Sequence, residues 1–302
     1  MGKVIVIGSS NTDMVFRTPR FPGPGETIIG SDFSVIPGGK GANQAVAAAR
    51  AGAQVVFVAK VGNDDLGRQA LTGYAQDNIE TRFILTDDGR PSGVAMILVD
   101  ETSGMNSIVV APGANANLLP EYLEAIAFEI QSADVLLVQL EIPLETVLRA
   151  LELAAVTGVT TILNPAPARA LPAHLLSLVD IITPNETEAW QLTGIAPEDA
   201  DSMLASGKEL LRQVRQAAII TLGEQGAYFI HQSGANHSIP TVRVNAVDST
   251  AAGDVFNGYL AAAIADKMPF EKAIRRANLA ASLSVTRPGA QPSIPGHSEI
   301  ID

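Results

Sequence analysis

Short apolar segments rich in β-branched residues alternate with alanine-rich stretches along most of the chain. Buried strands that connect through helices give this pattern, so it predicts a parallel sheet covered by helices on both faces. Ligands of such sheets bind beyond the carboxyl ends of the strands. Gly8, Asn164, Asn185 and Gly223 fall at such ends. The predicted strands cover residues 4–7, 55–61, 135–139, 160–163, 181–183 and 218–222.

Two segments interrupt this alternation. Residues 13–36 contain three prolines between short extended pieces, and residues 93–110 contain two strand-like runs around a polar turn. Both are typical of antiparallel ribbons inserted into an α/β domain, and together they could form a lid. With 47% apolar residues, the chain can bury one large core. We therefore expect a single α/β domain over residues 1–302, with lid insertions at about 13–36 and 93–110, and residues 87–92 as either a hinge or a plain surface loop.

The charge balance argues against several partners. The net charge is −12 and no basic run occurs, so nucleic acid and anionic membrane surfaces fit poorly as partners. The chain has no cysteine, which leaves neither disulfides nor a thiolate site. The first apolar run is too short for a signal peptide, and no apolar stretch reaches the length of a membrane span. We expect a cytoplasmic protein.

The segment 247–260 reads V-D-S-T-A-A-G-D-V-F-N-G-Y-L. The small residues Ala251, Ala252 and Gly253 precede an apolar run to about Ala265 that predicts a helix. A helix N-terminus offers unpaired N–H groups and a positive dipole end, so this turn could cradle a phosphate. Asp254 beside it could take a proton from an attacking hydroxyl. The alternative is that Asp254 is only an N-cap.

A second motif, P-G-G-K-G-A-N, covers residues 37–43 and precedes an alanine-rich run that stops at Gly52. Three glycines around one lysine predict a loop that leads into a tightly packed helix. The chain contains neither G-x-x-x-x-G-K-[ST] nor, after the first strand, G-x-G-x-x-G. Both a Walker A loop and a dinucleotide-dependent oxidoreductase therefore lack support.

Together the two motifs resemble the signature segments of the ribokinase-like (PfkB) carbohydrate kinase family. The resemblance covers essentially the whole chain, including G-S-S-N-T-D at 8–13, N-P-A-P-A at 164–168 and T-P-N-E-T-E at 183–188. It implies a ribokinase-like α/β fold: a central, mostly parallel sheet flanked by helices, with a small antiparallel β lid. The implied reaction is ATP-dependent phosphorylation of D-ribose at O5 to give D-ribose 5-phosphate.

Other functions stay open at this point. The same motifs serve kinases for 2-deoxyribose, fructose or a nucleoside, and a sugar-binding regulator that has lost catalysis is a further alternative. Against the regulator stand Asp254 and the complete G-G-K-G and T-P-N-E-T-E segments.

The resemblance assigns roles around the sugar. Asp254 is the base, and Ala251, Ala252 and Gly253 form the anion hole with it; a carboxylate at a helix N-terminus is expected to have a lowered pKa. Without the resemblance, Asn11 and Asp13 could be turn residues and Glu141 a solvated loop acid. The residues implied to bind the sugar are Asn11, Asp13, Gly39, Lys40, Asn43, Glu141 and Asp254.

The resemblance also assigns the nucleotide and the metals. Glu186 and Glu188 would organise Mg²⁺, mostly through water, although Asn185 with Glu188 also fits a capping box. The T-L-G-E-Q-G segment at 221–226 is by itself typical of a hairpin turn. The implied ATP-binding residues are Asn185, Thr221, Gly223, Gly226, Gly253 and Asn278.

The resemblance also implies a potassium site and a homodimer that forms through the lid. Many family members carry glycine where Ala251 stands, which would affect the geometry of the anion hole. Bound potassium would make the anion hole more electropositive. The implied potassium residues, several acting through backbone carbonyls, are Asp248, Thr250, Ser284, Arg287, Gly289 and Ser293.

Overall fold

The computed structural model describes residues 1–300, which contain thirteen strands and ten α-helices. The strands are β1 Lys3–Ile7, β2 Asn11–Thr18, β3 Asp32–Gly38, β4 Gln54–Gly62, β5 Ile84–Asp87, β6 Gly93–Asp100, β7 Asn106–Ala111, β8 Val135–Val138, β9 Thr160–Leu163, β10 Ile181–Ile182, β11 Ala217–Thr221, β12 Ala227–His231 and β13 Asn236–Ile239. The helices are α1 Lys40–Arg50, α2 Asp65–Gln76, α3 Glu121–Ala125, α4 Ala127–Gln131, α5 Leu144–Thr157, α6 Ala173–Leu176, α7 Glu186–Thr193, α8 Ala200–Gln213, α9 Ala252–Ala265 and α10 Phe270–Ser284.

A nine-stranded sheet runs through the centre in the order β13-β12-β11-β10-β9-β8-β1-β4-β5. Strands β5 to β11 in this order pair in parallel, and only β12 and β13 at one edge are antiparallel. All six predicted strands are present within one or two residues of their expected ends. The prediction of a mostly parallel sheet is confirmed.

The central strands are buried on both faces because helices cover each side. Along β1, Val4 and Val6 belong to one apolar cluster, whereas Ile5 and Ile7 belong to the other. Helices α1, α9 and α10 form the first layer, and α5 lies in the second. None of the helices within residues 1–300 is both long and apolar enough to cross a membrane.

The two interrupting segments form a separate four-stranded sheet in the order β3-β2-β6-β7. The β2–β3 and β6–β7 pairs are antiparallel, as predicted, and β2 pairs with β6 in parallel. The first ribbon starts at Asn11, two residues before the predicted boundary, so Asn11 and Asp13 lie inside a strand of this sheet. We call it the lid sheet.

Helices α1 and α9 carry the two motifs and pack closely side by side. Their approach depends on Gly258, where an added Cβ would lie 2.4 Å from Ala47 Cβ and 2.6 Å from the Gln44 carbonyl oxygen. Alanine-rich faces permit such close packing. The result is that Asn43 and Gln44 lie directly against the first turn of α9.

Candidate active site

Two polar residues of β2 face the carboxyl end of the central sheet. Asn11 is buried, and its Oδ1 accepts a hydrogen bond from Asn115 Nδ2 at 2.7 Å. Asn115 also bonds both backbone groups of Ser10, so it fixes the entry into β2. Asp13 lies two residues further on the same face of the strand and packs against Gly38. The pair is therefore held in place by the fold and is not a simple turn.

The glycine-rich loop closes against these residues. Gly39 has φ 90° and begins α1, and a Cβ there would lie 2.6 Å from the Asn11 backbone nitrogen. Only glycine meets both requirements at once. The next residue, Lys40, donates its backbone N–H to Glu141 Oε2 at 3.0 Å, and Ser9 Oγ donates to the same oxygen at 2.6 Å. Glu141 thus belongs to the site and is not a solvated loop acid.

Asp254 is buried at the third position of α9, with Ala251 as the N-cap, so the N-cap interpretation is wrong. Its Oδ2 accepts from Asn43 Nδ2 at 3.0 Å and its Oδ1 from Gln44 Nε2 at 2.9 Å. The expected lowering of its pKa is also wrong. Burial raises the pKa of Asp254, and this outweighs the opposing effects of the Lys40 ammonium and the two amide donors.

The pKa of a second carboxylate in this cluster is also shifted. Burial, together with the neighbouring charges of Glu141 and Asp254, raises the pKa of Asp13 to about 7, although Lys40 acts in the opposite direction. Burial alone would lower the pKa of Lys40, but Asp254 and the other carboxylates raise it overall. The site is therefore a group of acids around one ammonium, and carboxylates with raised pKa values are suited to proton transfer near neutral pH.

The turn before α9 has the shape expected of an anion cradle. Ala251 is in the left-handed region at φ 63°, ψ 8° and makes no side-chain cap bond. Apart from its chain neighbours and its own helix backbone, no atom of residues 1–300 lies within 4 Å of a Cβ placed at Gly253, so the first turn of α9 is open to an approaching group. Ala252 N donates to the Ser249 carbonyl at 3.3 Å. The backbone N–H groups of Gly253 and Asp254 are available to an anion beside the Asp254 carboxylate.

A cavity of about 920 Å³ lies next to this turn and brings together most of the predicted nucleotide residues. The hairpin between β11 and β12 forms one wall, as the pattern T-L-G-E-Q-G predicted, and α9 and α10 form the other. Asn278 is buried there and donates to the Ile239 carbonyl at 2.9 Å. The predicted residues that line this cavity are Thr221, Gly223, Gly226, Gly253 and Asn278.

The polar residues at the start of α7 face two different sides of the helix. Asn185 and Glu188 form the capping box that the spacing predicted, with bonds of 2.8 and 2.9 Å. Glu188 is buried, and its electrostatic interactions with Lys40 and Asp254 indicate that it lies on the catalytic side; burial raises its pKa. Glu186 is exposed and lines a different cavity, between α7 and α8. Asn185 is absent from the residues that line the nucleotide cavity described above.

Two of the predicted potassium residues, Thr250 and Gly289, form hydrogen bonds with a third, Asp248. Its Oδ1 accepts from Thr250 N and Oγ1 at 2.9 and 2.6 Å, and its Oδ2 accepts from Gly289 N at 2.9 Å. Burial would raise the pKa of Asp248, but these hydrogen bonds lower it overall. The Arg287 guanidinium pairs with Glu299. Ser284 and Ser293 donate their hydroxyls to the carbonyls of Ala281 and Ala290.

Sequence reasoning missed the residues that support the site. Gln44 contacts Asp254, and Asn115 orients Asn11, yet neither was singled out. A glutamine inside an alanine-rich helix was a usable signal for Gln44, because a polar side chain on a buried face needs a partner. Asn115 offered no such signal, since it follows the second lid ribbon in a polar loop. Within residues 1–300, no group of three or more His, Asp or Glu side chains could hold a metal ion.

Comparisons with known proteins agree with this geometry. The sequence pattern described as pfkB family carbohydrate kinase matches residues 1–296. A ribokinase of Haemophilus influenzae is 43% identical, covering 98% of this chain and 96% of that protein. A deoxyribokinase of Salmonella typhi is 37% identical over 97% and 95% of the two chains. The structure of Arabidopsis thaliana ribokinase complexed with ribose and ATP has a TM-score of 0.93 at 29% identity, covering 99% and 97%. The chain therefore belongs to the pfkB family of carbohydrate kinases.

Proposed function

We propose that this chain phosphorylates D-ribose at O5 with ATP to give D-ribose 5-phosphate. The observation that carries the proposal is the position of Asp254, a buried carboxylate held by two side-chain amides beside the open first turn of α9. Asp13 of β2 interacts electrostatically with Asp254, and the neighbouring residues Ala252 and Gly253 line the nucleotide cavity. The similarity to a ribokinase over nearly the full length supports ribose as the sugar.

In this function Asp254 accepts the proton of the attacking O5 hydroxyl. Asn11, Asp13, Asn43 and Glu141 would hold the other hydroxyls of the sugar, and carboxylate and amide groups suit that task because they accept and donate hydrogen bonds. Within the turn at residues 251–254, the backbone N–H groups of Gly253 and Asp254 would stabilise the charge on the transferring phosphoryl group. Positioning supplies most of the acceleration in phosphoryl transfer, so the buried, fixed cluster fits the reaction.

Mg²⁺ and K⁺ belong to the proposal. Glu188 has one carboxylate oxygen, Oε1, without a partner in the described part of the chain, so it can accept a hydrogen bond from a metal-bound water. Glu186 would bind a second metal-bound water from the exposed side of α7. Mg²⁺ would neutralise charge on the ATP phosphates. At the proposed K⁺ site Asp248 would supply one carboxylate and the Thr250 hydroxyl lies beside it, so the site would carry a single negative charge, which suits a monovalent cation.

We further propose a cytoplasmic homodimer with one kinase domain per chain. In this arrangement the lid sheet covers the sugar on the Asp13 face, and the opposite face meets a second copy. Residues 87–92 would be the hinge, because Asp87 and Ser92 are anchored at either end by Asn117 and Asp64 while the residues between them are exposed.

The test is ADP release from ATP and Mg²⁺ with D-ribose, 2-deoxyribose, fructose and nucleosides, each with K⁺ and with K⁺ replaced by a large inert cation. We expect the highest kcat/KM with ribose and a loss of rate without K⁺. The Asp254→Asn variant should bind ribose and lose turnover by at least about 10²-fold. Preference for 2-deoxyribose would instead indicate the activity of the deoxyribokinase relative. Retained turnover in Asp254→Asn would show that Asp254 is not the base.

A further inference from the structure

We infer that Gln44 is a positioning residue that fixes the orientation of the Asp254 carboxylate and joins it to the anion cradle through a buried chain of side-chain amides. This inference rests on the proposed kinase function, because Asp254 is the base only in that reaction. Gln44 is fully buried on α1 and faces the first turn of α9. It does not line the nucleotide cavity described above, so we place it behind Asp254 and not among the substrate contacts.

Both polar atoms of the Gln44 side chain, Nε2 and Oε1, form hydrogen bonds. Its Nε2 donates to Asp254 Oδ1 at 2.9 Å and to Asn164 Oδ1 at 3.0 Å, and its Oε1 accepts from Gln139 Nε2 at 2.6 Å. A rotated amide would turn its oxygen toward the Asp254 carboxylate and its NH₂ toward the Gln139 donor. Both contacts would be repulsive, so only one orientation of the amide is stable.

The chain continues from Asn164 to the cradle. Asn164 Nδ2 donates to the Thr183 carbonyl at 3.1 Å, and Thr183 Oγ1 donates to Asn257 Oδ1 at 2.6 Å. Asn257 Nδ2 then donates to the Gly253 carbonyl at 2.8 Å, inside the first turn of α9. The same chain therefore touches the base and the backbone of the anion cradle, and its members come from α1, α9 and the ends of two neighbouring strands, β9 and β10.

Two consequences follow for catalysis. Asp254 Oδ1 is committed to Gln44 and Oδ2 to Asn43, so the plane of the carboxylate is fixed before the sugar binds, and this alignment is worth a large factor in rate. The Gln44 N–H also favours the ionised carboxylate and so opposes the effect of burial. The charged groups that act on Asp254 from the surrounding elements are Lys40, Asp13, Glu141 and Glu188.

The test compares wild type with Gln44→Met, which keeps the size but removes both donors, and Gln44→Glu, which also adds a negative charge beside Asp254. We expect kcat to fall about 10- to 100-fold in Gln44→Met, while the ribose KM changes less than about threefold. The acid limb of the kcat profile should move to higher pH in Gln44→Met and further in Gln44→Glu. A purely structural defect would lower kcat equally at all pH values.

A matched control is Gln213→Met, at a half-buried glutamine at the end of α8 that bonds only a backbone carbonyl of its own helix. It should leave both kcat and the acid limb unchanged. Thermal unfolding and calorimetric ribose binding verify that the Gln44 variants are folded. An unshifted acid limb, or a Gln44→Met enzyme with wild-type kcat, would overturn the inference even though wild type phosphorylates ribose. If wild type itself does not phosphorylate ribose, the proposed function fails instead.

Discussion

At the scale of single residues, we expect Asp13 to make ribose binding depend on pH. Its pKa of about 7 in the free enzyme means that it is protonated over part of the physiological range. Protonation removes a hydrogen-bond acceptor for the sugar, so we expect the ribose KM to rise as the pH falls below about 7, approaching tenfold per pH unit. Initial rates at saturating ATP from pH 5.5 to 8.5 measure this. Asp13→Asn should bind ribose weakly without this dependence; a wild-type KM that stays flat would contradict the prediction.

The same shift has a consequence for stability. The pKa of Asp13 is higher in the folded protein than its ordinary value of 3.8, so its contribution to stability is complete below about pH 4 and is lost as the pH rises through about 7. Asp13→Asn should therefore unfold at higher urea concentration than wild type at pH 8, and the difference should shrink toward pH 4. Urea midpoints of the two proteins at both pH values provide the measurement. A variant that is less stable than wild type at pH 8 would refute the linkage.

Ala251 carries backbone strain that glycine would remove. Its φ of 63° lies in the left-handed region, which costs a non-glycine residue about 1 kcal/mol. Ala251→Gly should raise the free energy of unfolding by about 0.5–1 kcal/mol, measured from the denaturant midpoint. Ala252→Gly is the matched control, because that residue already has helical geometry and should lose about 1 kcal/mol. Destabilisation of Ala251→Gly would mean that the turn does not need a left-handed residue.

At the scale of elements, the sequence predicted most of the architecture, because hydrophobic periodicity directly reflects burial on a strand or helix. The helix predicted after Gly253 begins two residues earlier, at Ala252, and ends at Ala265 as predicted, and the strand at residues 160–163 is reproduced without change. The sequence could not place Asp254 within its helix or give the direction of its pKa shift. The direction follows from burial, which only tertiary packing creates: the residues that pack against Asp254, Asn43 and Gln44, are about 210 positions away in sequence.

The contact between α1 and α9 should be essential because it holds Asp254, the proposed base, against its amide donors. A Cβ at position 258 would lie 2.6 Å from the Gln44 carbonyl oxygen, so Gly258→Ala must push the two helices apart. We expect a loss of about 1–3 kcal/mol in stability and a larger proportional loss in kcat than in ribose affinity. Denaturant unfolding and steady-state kinetics test both effects.

Gly73 in α2 provides the control for this substitution, since nothing lies within 4 Å of a Cβ placed there. Gly73→Ala should stabilise the protein by about 0.5–1 kcal/mol through helix propensity and leave kcat unchanged. If Gly258→Ala behaves like Gly73→Ala, the close packing of α1 on α9 does not control the site.

At the scale of the whole molecule, the lid sheet has two unlike faces. One carries Asp13, which interacts electrostatically with Glu141, Asp254 and Lys40. The other is an apolar row across all four strands, where the register aligns Val35, Met14, Met96 and Val109, with Phe16 and Phe33 in the adjacent row. Phe33, Val35, Met96 and Val109 are each 44% or more exposed. An acidic chain that keeps these two rows free of charge is consistent with a surface that a second copy covers.

The proposed dimer predicts that one charge on this face will separate the subunits. In a symmetric interface Met96→Glu buries two unpaired carboxylates near the same axis, so self-association should weaken at least about 100-fold. Sedimentation velocity should give twice the mass of the chain for wild type and the mass of one chain for the variant. Phe128→Glu, at an apolar residue on α4 that is 79% exposed outside the lid sheet, should remain dimeric. A wild-type protein that is monomeric at concentrations supporting full activity would contradict the proposed dimer. The apolar row would then face solvent during turnover.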